Sequence, residues 1–176
     1  MHKFRFASAS ELVSDIVETL RAEMEKDDCR IVEEIADVPP SLFRVRQLYT
    51  VVLNLLVNAR TRTRPGGQIF VSVSADEDSV VLEVAYEGET MPREIIDEIV
   101  ETADPSRAYL RGPETPKDFP FRVTCSMIKG MGGQVSASEV EGGGTRVRVT
   151  LPFVEDRRKK RKPVKRDRRK GDTTIR

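Results

Sequence analysis

The chain has 176 residues, with 30 Lys and Arg against 29 Asp and Glu, 38% apolar residues, two cysteines, one histidine and no tryptophan. That length fits one folded domain with a sizeable core, and no apolar run nears the roughly 18 residues of a membrane-spanning helix. The start MHKFRFASAS lacks the apolar stretch of a secretory signal, so the expected location is cytoplasmic. Cys29 and Cys125 form no CxxC pair and His2 is the sole histidine, which argues against a disulfide framework, Cys- or His-based metal centres and internal Ser-His-Asp chemistry.

The near-zero net charge conceals two unlike parts. Residues 155–176 carry a net charge of +8 and the remainder carries −7. The expected division is a domain over 1–153 and a basic tail over 154–176. With almost no apolar side chain to offset its ordering entropy, the tail is expected to be disordered. Its run 157–170 is a candidate for sequence-independent contact with nucleic acid or an anionic surface, although no aromatic residue interleaves for base stacking.

Phe4 and Phe6 alternate as a short strand. Ser8-Ala-Ser-Glu11 has capping-box spacing, and Leu12, Ile16, Leu20 and Met24 continue a helix to about Lys26. Residues 30–35 read as a strand ended by Pro39-Pro40. Ser41 is expected to cap a second helix over about 42–63, whose apolar arc runs through Val45, Leu48, Val52, Leu55 and Leu56. Arg64-Pro-Gly-Gly67 is turn chemistry. The segments QIFVSVSA and SVVLEVAY alternate around Asp76–Ser79 as a hairpin.

Pro92 suits the first turn of a third helix over about 92–103, with Ile95, Ile96, Ile99 and Val100 inward. A charged, Pro-containing loop over 104–118 follows, then a helix opened by Pro120 and ending near Met131. Strands over 134–140 and 145–152 flank the turn Glu141–Gly144. The predicted fold class is α/β (α+β): a two-layer sandwich whose mixed, largely antiparallel sheet is covered on one face by helices.

Two segments, QLYTVVLNLLVNARTRTRPGGQIFVSVS and GMGGQVSASEVEGGGTRVRVTLP, lie in this order about 70 residues apart. With them the chain, from about residue 4 to 153, resembles the histidine kinase-type ATPase domain of the Bergerat fold. Asn54 and Asn58 stack four apart on a shoulder of the second helix, beside its apolar arc. The resemblance implies that these two hold magnesium and the nucleotide phosphates, with Asn54 the candidate metal ligand. Taken without it, they are two polar residues on a helix shoulder.

Elsewhere the implied nucleotide site is altered. Where the family carries Asp-x-Gly-x-Gly, with the Asp on adenine, this chain reads Tyr86-Glu87-Gly88-Glu89-Thr90. Where it carries Gly-Leu-Gly at a helix N-terminus, this chain reads Asp118-Phe119-Pro120, so bare amides give way to a carboxylate, an aromatic ring and an imino acid. Losing the adenine contact and two phosphate amides removes roughly 4–6 kcal/mol, on the order of a thousandfold in affinity. Glu89 and Asp118 are expected to add repulsion.

Gly142–Gly144 with Thr145 match a third glycine feature, in which the Thr lines the base pocket; a hairpin turn accounts for the same glycines. The remnant pocket therefore comprises Asn54, Asn58, Tyr86, Gly88 and Thr145, and no catalytic residue is assigned. His2, near the start, is not expected to accept a phosphoryl group.

The leading expectation is a domain that has lost ATP, needs no cofactor and acts as a protein-interaction module in bacterial signalling, with a signalling protein as partner. The alternative keeps Mg-ATP on Asn54 and Asn58 for phosphotransfer in trans. Arg60, Arg62 and Arg64 near the end of the Asn helix are candidates for anion attraction, or simply complement the helix dipole.

Overall fold

A computed structural model describes residues 4–101 and 119–154, with side chains given except at 98–101 and 119–120. The 104–118 loop, His2, Asp118 and the tail beyond 154 therefore lie outside the described residues, as do the side chains of Ile99 and Val100.

The first elements are β1 (Arg5–Ala7) and α1 (Ala9–Lys26). Ser8 is extended and accepts a hydrogen bond from the Glu11 amide at 3.2 Å, so the N-terminal cap forms as its spacing predicts. Val13, Ile16, Val17 and Met24 give α1 its buried face. Then come β2 (Arg30–Ile35), β3 (Ser41–Phe43) and α2 (Val45–Arg62).

Ser41 is not a helix cap. Pro39-Pro40 favours extended backbone before it, and the chain stays extended through Phe43, pairing antiparallel with β1 so that Leu42 faces Phe6. The Ser41 hydroxyl instead fastens the far end of the chain, accepting from the Val154 amide at 2.8 Å. Arg44 takes the N-cap position of α2 and makes no side-chain cap bond.

The remaining elements are β4 (Gln68–Ala75), β5 (Ser79–Glu87), α3 (Arg93–Glu101), α4 (Phe119–Gly130), β6 (Gln134–Glu139) and β7 (Gly144–Pro152). Five strands form one sheet in the order β2-β4-β5-β7-β6, parallel between β2 and β4 and antiparallel elsewhere. One row of side chains from each of β4, β5 and β7 enters the core: Ile69, Val71 and Val73; Val80, Leu82, Val84 and Tyr86; Val147, Val149 and Leu151.

These rows meet Leu48, Val52, Leu55 and Leu56 of α2 together with apolar residues of α1 and α4. The opposite row is mixed on the central strands: Val81 and Ala85 of β5 are buried, Phe70 of β4 is exposed, and Glu83 bridges Arg146 at 3.0 Å and Arg148 at 3.6 Å. Helices therefore cover one sheet face. No helix among the described residues is long and apolar enough to cross a membrane.

Candidate functional site

The site begins with α2, whose apolar arc seats it over β5 and turns its asparagine shoulder toward α4. Asn54 is half-buried, and its Nδ2 donates to Thr124 Oγ1 of α4 at 3.0 Å. Thr124 is itself fully buried. Asn58, one turn on, is 7% exposed, and its side-chain amide makes no hydrogen bond with the described residues. The two asparagines thus differ in use, since one spans two helices and the other is buried beside the core. Thr124 was not marked by any sequence motif; a contact 70 residues apart has no local signature.

Tyr86 belongs to the core. It is 1% exposed and among the largest fully buried side chains, on the inward row of β5 opposite Ile69 and Thr145. Thr145 is fully buried too, and its hydroxyl accepts from the Met91 amide at 2.9 Å. Thr90, at the place of a family glycine, accepts from the Gly144 amide at 3.1 Å. The turn at Gly142–Gly144 is a hairpin turn that also bonds the loop after β5, with the Gly88 amide reaching the Gly143 carbonyl at 3.4 Å.

Gly88 and Gly144 are required by close packing. A Cβ on Gly88 would collide with the Arg62 carbonyl oxygen, and one on Gly144 with the Tyr86 carbonyl oxygen. Gly144 also sits at φ +118°, a conformation that side chains disfavour.

The expected negative rim is modified by pairing. Glu89 binds Arg62 at 2.8 Å, although the Arg62 side chain is only 2% exposed. The Glu89 amide also donates to the Arg62 carbonyl, so this loop is tied to the end of α2 twice. Glu87 pairs with Arg64 at 3.3 Å. Glu89 is therefore a partly neutralised group, which corrects the expectation of free repulsion there.

Arg60 and Arg64 do not act on one face. Arg60 reaches Asp27 and Glu23 of α1, whereas Arg64 turns to β5. The hydrogen bond from Arg60 holds the Asp27 carboxyl below its ordinary value and raises Arg60 itself. All three arginines carry an acidic partner, so anion attraction by free cations is not their arrangement.

The cysteines are inert by placement. Burial pushes Cys125 up to about 12 and also raises Cys29, where the Asp27 charge adds to the effect. A cleft of about 330 Å³ opens where α1 ends and β2 begins, lined by Arg21, Asp28, Cys29 and Gly66 among others; neither asparagine lines it.

A helix-covered, largely antiparallel five-stranded sheet with an Asn-bearing helix over its centre defines the Bergerat class of ATPase fold. The family described as histidine kinase-, DNA gyrase B-, and HSP90-like ATPase matches residues 44–155, and the chain belongs to it. Sporulation kinase E of Bacillus subtilis is 26% identical over 154 residues, which is 86% of this chain and 20% of that protein. The heme sensor protein HssS of Staphylococcus haemolyticus is 28% identical over 145 residues, 81% of this chain and 30% of that one.

The chain thus spans about a fifth to a third of these relatives. Among solved structures, the nucleotide-free catalytic domain of histidine kinase ThkA superposes with a TM-score of 0.72 at 17% identity, covering 86% of this chain and 96% of that one. Full-length ShkA in complex with AMPPNP gives 0.71 at 19%, covering 89% and 32%. The chain thus carries a histidine kinase-like ATPase domain.

Proposed function

We propose that this domain has lost effective ATP binding and serves as a protein-interaction module in two-component signalling. The observation that carries this reading is Tyr86, buried at 1% exposure where the resemblance places the adenine-binding Asp. The buried ring brings bulk, and no carboxylate, to the ground where the resemblance puts the base. Two further features support it. Thr145 is engaged with the Met91 amide, and the phosphate-wrapping glycines are replaced by Asp118-Phe119-Pro120.

On this reading Tyr86 and the replaced glycines speak against a magnesium nucleotide in the pocket. The protein partner is a signalling protein; the structurally similar histidine kinase ThkA is solved in complex with the response regulator TrrA. The basic run 157–170 adds a salt-sensitive contact with nucleic acid or an anionic surface.

A second reading keeps Mg-ATP, because both asparagines are present and the Asn58 side chain makes no hydrogen bond among the described residues. Calorimetry of the full chain with Mg-ATP separates the two. The expected result is no binding heat and no thermal shift at millimolar nucleotide. Saturable binding that Asn54→Ala abolishes establishes the second reading, since a ligand at a hundred times its Kd adds about 2.7 kcal/mol of stability.

A further inference from the structure

Helix α2 lies between α1 and α4, held to the first by Arg60 with Glu23 and Asp27 and to the second by Asn54 with Thr124. Between those contacts it turns an apolar stripe outward. Tyr49 is 45% exposed and Val57 42%, with half-buried Leu53 midway, at positions i, i+4 and i+8. At 1.5 Å per residue the stripe runs about 12 Å. Leu20 on α1, one turn before Glu23, and Met127 on α4, one turn after Thr124, are likewise half-buried. A helix with solvent on one side normally places charge there, yet α2 contains no Asp or Glu in a body of net charge −7. Its exposed Arg46, one turn before Tyr49, makes no ion pair among the described residues.

We infer that the outer face of α2 is the docking surface for an α-helix of a partner protein, one with its own apolar stripe flanked by carboxylates. Helix-in-groove recognition needs anchors at this spacing, and Arg46 selects the sign of the partner's flanking charge. A second copy of this chain fits less well. Stripe-to-stripe packing would set two acid-free helices together, each bringing Arg46. The inference rests on the reading of the domain as an interaction module and names the surface that such a module would use.

The test uses the full chain and two synthetic 18-residue helical peptides, both with leucines at i, i+4, i+8 and i+11, one flanked by Glu and the other by Lys. The expected result is saturable binding of the Glu peptide, at least tenfold tighter than that of the Lys peptide and weakened by added salt. Val57→Glu, at an exposed position, should weaken the Glu peptide at least tenfold with an unchanged circular dichroism spectrum. Arg46→Glu should reverse the order of the two peptides, which a merely structural role would not do.

No saturation by the Glu peptide, equal binding of both peptides, or indifference to Val57→Glu would overturn the surface. Concentration-dependent dimerisation that Val57→Glu abolishes would overturn the occupant in favour of a second copy. A nucleotide titration of the same sample keeps the readings apart: peptide silence overturns the surface alone, whereas nucleotide heat overturns the loss of ATP binding alone.

Discussion

The loop after β5 and the start of α4 are both glycine-rich in the family this chain belongs to, and here they differ. Gly88 is kept in the loop, and Gly144 faces it from β7, where backbone passes too close for any side chain. Thr90 in the same loop, and Phe119 and Pro120 at α4, stand where the resemblance puts ligand-facing glycines. Thr90 shows how such a place is reused, because its hydroxyl now takes the Gly144 amide. Glycine persists where the fold itself leaves no room and gives way where the resemblance assigned it to a nucleotide. Packing constraint and ligand constraint, superimposed in one motif, are separated here.

That contrast makes the stability of the two positions unequal. Gly144→Ala should cost roughly 3 kcal/mol, through the Tyr86 carbonyl and the backbone conformation it forces, visible as a lower urea midpoint with unchanged slope. A change below 1 kcal/mol would show that Gly144 was kept for another reason. Thr90→Ala, by comparison, should remove only the hydrogen bond to Gly144, about 1 kcal/mol.

Thr124→Val tests the seam between α2 and α4 and should also cost about 1 kcal/mol, since it deletes the acceptor for Asn54 while keeping the shape. An unchanged urea midpoint in that variant would show that the Asn54–Thr124 bond adds nothing to the seam.

The smallest effect concerns Arg60. Asp27 is held below its ordinary carboxylate value, chiefly by the hydrogen bond from Arg60. A depressed folded value means stability that is present above the unfolded value and lost as pH falls through the folded one. Arg60→Ala should therefore shallow the acid-side loss of stability below about pH 4 while leaving the alkaline side unchanged. This is an exposed pair, so the shift in the acid midpoint should be slight.

Much of this was legible in the chain itself. Period-two alternation marked β4, β5 and β7, period-3.6 marked α1 and α2, and Ser8 with Glu11 marked a helix start, because these signals act within a few residues. The error at Ser41 came from the same locality. A serine after two prolines reads as a cap, and only pairing with β1 and the bond to Val154 made it a strand residue. Within the site, Asn54, Asn58, Tyr86 and Thr145 were visible by resemblance, whereas Thr124 and the pairing of buried Arg62 with exposed Glu89 were not.

The sequence by itself determined the class of fold, the order of its elements and which residue types stand where the resemblance puts glycines and an Asp, since these are written in spacing and residue type. Tertiary structure alone decided that Tyr86 is core, that Asn54 is bound across to α4, that each arginine at the end of α2 meets its own carboxylate, and that α2 shows an apolar face to solvent. Those outcomes depend on which distant segments the sheet brings within a few ångströms, and no local pattern encodes that distance.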